Sequence, residues 1–186
     1  MQHIDQDPTT AGRSDVAVDP GRTALVVVDM QNCFVADSPV SAPLGPEVAT
    51  RLNRLAGACC ESGITVIWTR HVVRRDGSNV GLLGEKIPAV AHGVINARSS
   101  GIDTIIVGGI NTNVCVDTTA REAAVREFRV LFLSDGSANF ALPDGGLGAA
   151  SAEELQRAAC AVMAFGFADV VTVDEVLDRI PVAASS

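Results

Sequence analysis

TALVVVD, residues 23–29, is an apolar and mostly β-branched run that ends in an acid. It shows no polar alternation, so it reads as a strand buried on both faces, as in a parallel sheet covered by helices. Pro46–Gly63 follows with apolar residues at helical spacing (Val48, Leu52, Leu55, Cys59). Gly63 is a natural stop, because the residue after a helix favours a left-handed backbone. Further strands are expected at Ile64–Thr69 (ITVIWT), Asp103–Gly109 (DTIIVGG), Arg129–Ser134 (RVLFLS) and Asp169–Val173. Helices are expected at Asn113–Glu127, Ser151–Phe165 and Val173–Ile180, and Arg70–Gly84 reads as a polar loop. Ser151 with Glu154 three residues on forms a capping-box pattern. Strands that alternate with helices imply a parallel sheet with helices on both faces.

The 186 residues suit one domain, and no internal repeat or linker divides them. The fold expected is a three-layer α/β/α domain with a Rossmann-like parallel sheet of about five to six strands. With 47% apolar and 19% charged residues the composition is that of a globular protein. A formal charge of −8 argues against nucleic acid or an anionic membrane surface as partner. No apolar run approaches the ~20 residues of a membrane span. The first 22 residues are polar and acidic and read as a disordered tail, which leaves 23–181 as the domain. Cys33, Cys59, Cys60, Cys115 and Cys160 are odd in number and irregularly spaced, which argues against a disulfide framework. No Cys/His cluster has zinc spacing, so no metal is expected, and reduced thiols point to a cytoplasmic protein.

Ligands of parallel sheets bind beyond the carboxyl ends of the strands. That rule singles out Asp29, Thr69-Arg70-His71, Gly108–Cys115 and Asp135. Cys115 opens the helix after a Gly-Gly strand end, where free N–H groups favour an anion. Its thiol pKa is therefore expected below the usual ~8.5, and the same N–H groups can hold an oxyanion. Asp29 is costly to bury after so apolar a run unless it is paired or functional. It can take the thiol proton or shuttle one to a leaving group. Asp135 reads as a loop or helix-cap acid. Trp68 and Phe34 suit either an amide pocket or plain core.

ALVVVDMQNCF (24–34) and VGGINTNVCVDTTAREA (107–123) resemble the two signature segments of the isochorismatase-like cysteine hydrolase family, in its amidohydrolase branch. VLFLSDGSA and FADVVTVDEVL resemble its later strand and C-terminus. The resemblance implies that Cys115 attacks a small amide, ureido or carbamoyl compound to give a thioester, with Asp29 as general acid/base. It also implies a cis peptide between Ile110 and Asn111, with the N–H groups of Asn111 and Cys115 facing the oxyanion. Gln31, Phe34, Trp68 and Arg70 are the candidate pocket residues. The partners implied are a small-molecule substrate and further copies of the chain, with no cofactor.

One part of the family pattern is missing. The family's triad lysine ends a strand that precedes the nucleophile strand, and in its 3-2-1-4-5-6 sheet order that strand lies at an edge. Here only 46 positions separate Thr69 from Cys115, and GLLGEKIPAVAHG runs almost directly into INARSSGIDT. A βα unit is mostly absent, and Lys86, the only lysine, matches the preceding loop. The metal-binding D-x-H…H cluster of the nicotinamidase branch is also absent. His71 follows Arg70, His3 lies in the tail and His92 follows an apolar stretch. Two rival readings are a vinyl-ether hydrolase of isochorismatase type, which Cys115 counts against, and a catalytically impaired binding or oligomerising domain. A flavodoxin-like or nucleotide-binding domain is remote, since the glycine-rich turns form neither GxGxxG nor a P-loop.

Overall fold

The computed structural model describes residues 16–36, 38, 40–70, 101–144 and 146–181. The strands are β1 (Thr23–Val28), β2 (Thr65–Trp68), β3 (Thr104–Ile110), β4 (Arg129–Ala138) and β5 (Asp169–Val171). The helices are α1 (Asn32–Val35), α2 (Gly45–Glu61), α3 (Asp117–Val125), α4 (Ala152–Gly166) and α5 (Val173–Leu177), with a π-helical turn at Thr112–Val116. The five strands are all parallel, in the order β2-β1-β3-β4-β5.

The unbroken apolar run of β1 has a direct explanation. Leu25 and Val27 point into one core layer with Leu52 and Leu55 of α2. Ala24, Val26 and Val28 point into the other, with Ala120 of α3 and Met163 of α4. Side chains of a strand alternate between faces, so a strand covered on both sides has no use for polar alternation.

Helix ends follow their local chemistry. Gly63 has φ +78° just past α2, the conformation anticipated for a helix stop. The Ser151–Glu154 capping box is formed at the start of α4, and an equivalent Thr172–Glu175 box starts α5. Because Thr172 serves as that cap, β5 stops at Val171 rather than Val173.

Two expectations need correction. Val16 and Val18, placed in the tail, are only 7% and 5% exposed and pack in the α2-side layer. An alternating Val-Ala-Val beside an open apolar layer gains more from burial than it loses in chain entropy. The tail proper, residues 1–15, lies outside the described residues, as do His3, 71–84 of the loop, Lys86 and His92. The other correction concerns β4, expected to end at Ser134. Phe132 pairs with Val107 and Ser137 with Gly109, so Leu133–Gly136 form an irregularity after which the strand resumes to Ala138. Asp135 within it accepts the Val173 backbone N–H at 2.8 Å, the helix-cap role expected of it.

Among the described residues β2 is an edge strand, paired only with β1. No helix among them is long and apolar enough to cross a membrane.

Gly109 has φ +136°, and a Cβ there would lie 2.0 Å from the Val28 carbonyl oxygen. Gly57 in α2 has nothing within 4 Å of such an atom. Gly109→Ala should therefore lose at least ~2 kcal/mol in urea unfolding, while Gly57→Ala gains about 0.5–1 kcal/mol. Equal unfolding midpoints for the two variants would contradict this picture of the β1–β3 contact.

Candidate active site

Asp29 follows β1 directly, at φ +50°, a left-handed conformation that Asp tolerates better than most residues. Its side chain is shut away from water, with the residue 6% exposed. Thr69, just past β2, holds it: the hydroxyl donates to Asp29 Oδ1 at 2.8 Å and accepts the Asp29 backbone N–H at 3.1 Å. Thr69 is fixed in turn by its own N–H to the Val27 carbonyl at 3.0 Å.

Cys115 sits inside the π-helical turn that leads from β3 into α3. In-register pairing of β1 with β3, up to Val28 opposite Gly109, brings this turn beside Asp29. The Asp29 carboxylate and the Asn111 backbone N–H both lie near enough to act on the titration of the thiol. Burial pushes the thiol up to about 12, with the charge of Asp29 and the hydrogen bond to it adding to the rise, while the Asn111 N–H opposes it. This reverses the expected lowering. Three things outweigh the helix start: α3 begins only at Asp117, the thiol is half-buried, and the charge it faces is negative. The thiol thus keeps its proton beside the Asp29 carboxylate, and transfer as the sulfur bonds to carbon is the chemistry this pair can perform.

The Ile110–Asn111 peptide is cis, at the position implied by the resemblance. Ile110 is buried in the core layer on the α2 side. Around the turn runs a polar network that no local pattern signals. Thr112 Oγ1 donates to Gln156 Oε1 at 2.7 Å, and Asn139 Nδ2 donates to the same oxygen at 3.0 Å. Asn139 Oδ1 accepts the Asn113 N–H at 3.1 Å. Gln156 Nε2 donates to the Ser134 carbonyl at 2.9 Å, which ties α4, β4 and the turn together. The Thr118 and Thr119 hydroxyls donate to the carbonyls of Val114 and Cys115, at 2.6 and 2.7 Å. That Thr-Thr pair, each hydroxyl four residues past the carbonyl it meets, is the one part with a readable signal.

The pocket candidates divide. The Gln31 backbone N–H donates to the Asp29 carbonyl at 2.7 Å, so Gln31 belongs to the Asp29 corner. Phe34 packs against the core layer on the α2 side, whereas Cys115 packs against the opposite layer. Trp68 is 54% exposed at the end of β2, and Arg70 is exposed beyond it. A cavity of about 550 Å³ opens on the far side of the Gln156 network, lined among others by Leu44, Arg51, Asn139 and Gln156 but by neither Asp29 nor Cys115. Among the described residues no group of three His, Cys, Asp or Glu side chains could hold a metal ion.

The parallel sheet thus brings a thiol and a carboxylate together beyond two of its inner strands. The chain belongs to the isochorismatase family: the family model described as "Isochorismatase domain" matches residues 23–97 and 92–175. The two matched stretches overlap at residues 92–97. Nicotinamidase 3 of Arabidopsis thaliana is 29% identical, over 82% of this chain and 85% of that protein. That alignment spans 188 positions, more than this chain's 186 residues, so the relative carries residues that are absent here. A ureidoacrylate amidohydrolase of Methylorubrum extorquens is 27% identical, over 66% of this chain and 72% of that one. The crystal structure of a cysteine hydrolase from Pseudomonas syringae pv. phaseolicola superposes with a TM-score of 0.80 at 30% identity, covering 91% of this chain and 97% of the other.

Cys33 and Cys60 are exposed. Iodoacetamide at neutral pH should label both ahead of Cys115, whose labelling should rise with pH well beyond the ~8.5 of a free thiol. Asp29→Asn should move that rise to lower pH, because it removes a negative charge from the thiol's surroundings. Peptide mapping by mass checks both shifts, and a wild-type Cys115 midpoint below ~8.5 would refute the buried-thiol geometry.

Proposed function

We propose that this isochorismatase-family hydrolase cleaves the C–N bond of a small amide, ureido or carbamoyl compound, with Cys115 as nucleophile and Asp29 as general acid/base. The observation that carries the reading is the juxtaposition of the Cys115 turn with the buried Asp29 carboxylate at the carboxyl ends of the paired strands β1 and β3. The relatives named for nicotinamide and ureidoacrylate hydrolysis support the substrate class.

In the first half-reaction the sulfur bonds to the acyl carbon while the thiol proton passes to Asp29. The carbonyl oxygen takes up negative charge, with the N–H groups of Asn111 and Cys115 as its donors. Collapse breaks the C–N bond, and protonated Asp29 gives its proton to the departing nitrogen. In the second half, water attacks the thioester, Asp29 accepts its proton, and the thiol is released as the acid leaves. No metal or cofactor enters, and a reducing, cytoplasmic setting suits a site that needs its thiol.

One observation favours the catalytically impaired reading as the alternative. The thiol stands at about 12 beside a negative charge, and the family's lysine position has no match in the sequence. Ammonia release from nicotinamide and from ureido and carbamoyl compounds separates the two. Wild type should release ammonia from at least one of them, and Asp29→Asn should lower kcat/KM by about 10²–10⁴-fold with an unchanged circular dichroism spectrum. Near-normal rates in that variant would remove Asp29 as the acid/base, and binding without turnover would favour the impaired domain. Exhaustive chelation should leave the rate intact; loss on chelation with recovery on zinc would bring His71 in as a ligand.

Self-association belongs to the same proposal. It rests on the β2 edge, where Trp68 is half-exposed and no described strand pairs beyond. Sedimentation at micromolar concentration should show a dimer or larger, and a monomer would remove the expectation.

A further inference from the structure

Two buried side-chain oxygens among the described residues have no hydrogen-bond partner, Thr23 Oγ1 and Asn111 Oδ1. Thr23 begins β1, at the opposite end of that strand from Asp29. Asn111 is different, because it caps the turn that holds Cys115, and its carbonyl accepts the N–H groups of Val114 and Val116, on either side of Cys115, at 3.2 and 3.1 Å. The residue is 8% exposed. It stands at the N-cap of the π-helical turn, a position from which Asn commonly accepts an N–H of the turn that follows, yet its side chain makes no such bond. The next two residues are fully tied, Thr112 through its hydroxyl to Gln156 and Asn113 through its N–H to Asn139. The turn is thus held by its neighbours while the Asn111 carboxamide is left over. A buried carbonyl without a donor is costly, and in native proteins such a group calls for an explanation.

A ligand donor supplies one. Any acyl carbon attacked by Cys115 must come to the sulfur, so both its oxygen and its second substituent arrive within a residue's reach of Asn111. We propose that Asn111 is a specificity-determining residue, whose Oδ1 accepts an N–H from a nitrogen bonded to the attacked carbon. This rests on the hydrolase reading above and deepens it. Amide, ureido and carbamoyl groups carry that N–H and satisfy the acceptor. An ester of the same shape carries none, leaves the oxygen unpaired and is disfavoured. A site that holds a substrate N–H in this way discriminates strongly against the analogue that lacks it.

The test uses two reagents of nearly equal shape, p-nitrophenyl carbamate and p-nitrophenyl acetate, which place NH2 or CH3 on the acyl carbon. With either one, sulfur bonds to that carbon, the C–O bond to the aryl group breaks, and the thiol proton leaves with p-nitrophenol. Release of p-nitrophenol gives the rate, mass mapping confirms Cys115, and rates with glutathione supply the intrinsic ratio of the two reagents. Wild type should favour the carbamate by at least about ten-fold over the glutathione ratio. Asn111→Leu, close in volume, and Asn111→Ala should both bring the ratio within about two-fold of glutathione. An unchanged circular dichroism spectrum shows that each variant is still folded.

A wild-type ratio equal to that of glutathione would overturn the proposal, as would a preference unchanged in both variants. Failure of both reagents at Cys115 would overturn the hydrolase reading together with this one. A preserved carbamate preference without ammonia release from any amide would sink turnover alone and leave the role of Asn111 standing.

Discussion

The burial of one carboxylate organises this site. Asp29 ends a strand whose every residue is buried, and it is itself shut away from water. A carboxylate so placed needs donors. The fold supplies Thr69 from the neighbouring strand end and the Cys115 thiol from the turn after β3. Both can reach it only because β1 lies between β2 and β3 in a parallel sheet, with all three carboxyl ends on one side. The β1–β3 contact is tight enough that only glycine fits at 109. Strand order, the glycine and the protonated thiol are thus parts of one requirement.

Much of this was legible in the sequence because it depends on local pattern. β1 and β3 declare themselves through double-sided burial, and α2 through its spacing and the glycine after it. The Asp29–Cys115 pair was legible from strand ends and from a resemblance carried by two segments. What escaped notice depends on partners far apart in the chain. Thr69 lies 40 residues from Asp29, and Gln156 lies 44 from Thr112, and no local rule connects them. The second half of β4 was hidden for another reason: SDGSA has turn chemistry, and it pairs only after the ladder slips past Leu133–Gly136. The thiol was misjudged because a helix start is a local feature, whereas the carboxylate that opposes it comes from another strand.

The sheet order also clarifies the shortened region before β3. Among the described residues, the five strands in the order β2-β1-β3-β4-β5 match the 3-2-1-4-5-6 order that the resemblance implies, less its first edge. Both candidate reacting residues hang from inner strands, each flanked on both sides, so their relative placement does not depend on what lies beyond β2. An edge can therefore differ between relatives while the centre keeps its geometry. The chemistry that an edge residue would lend to the thiol is a separate matter, and among the described residues the charge shown to act on the thiol is the negative one of Asp29.

That last feature has a bearing on durability. Peroxide attacks thiolates, and a sulfur held in its protonated form by burial and by an adjacent anion is a poor target. Cys115, at about 12, is in that state at rest. Cys33 and Cys60 stand exposed at the surface and meet oxidants first. On the proposed function, a nucleophile unmasked only when an acyl group arrives outlasts a permanently ionised one under conditions that form sulfenic acid.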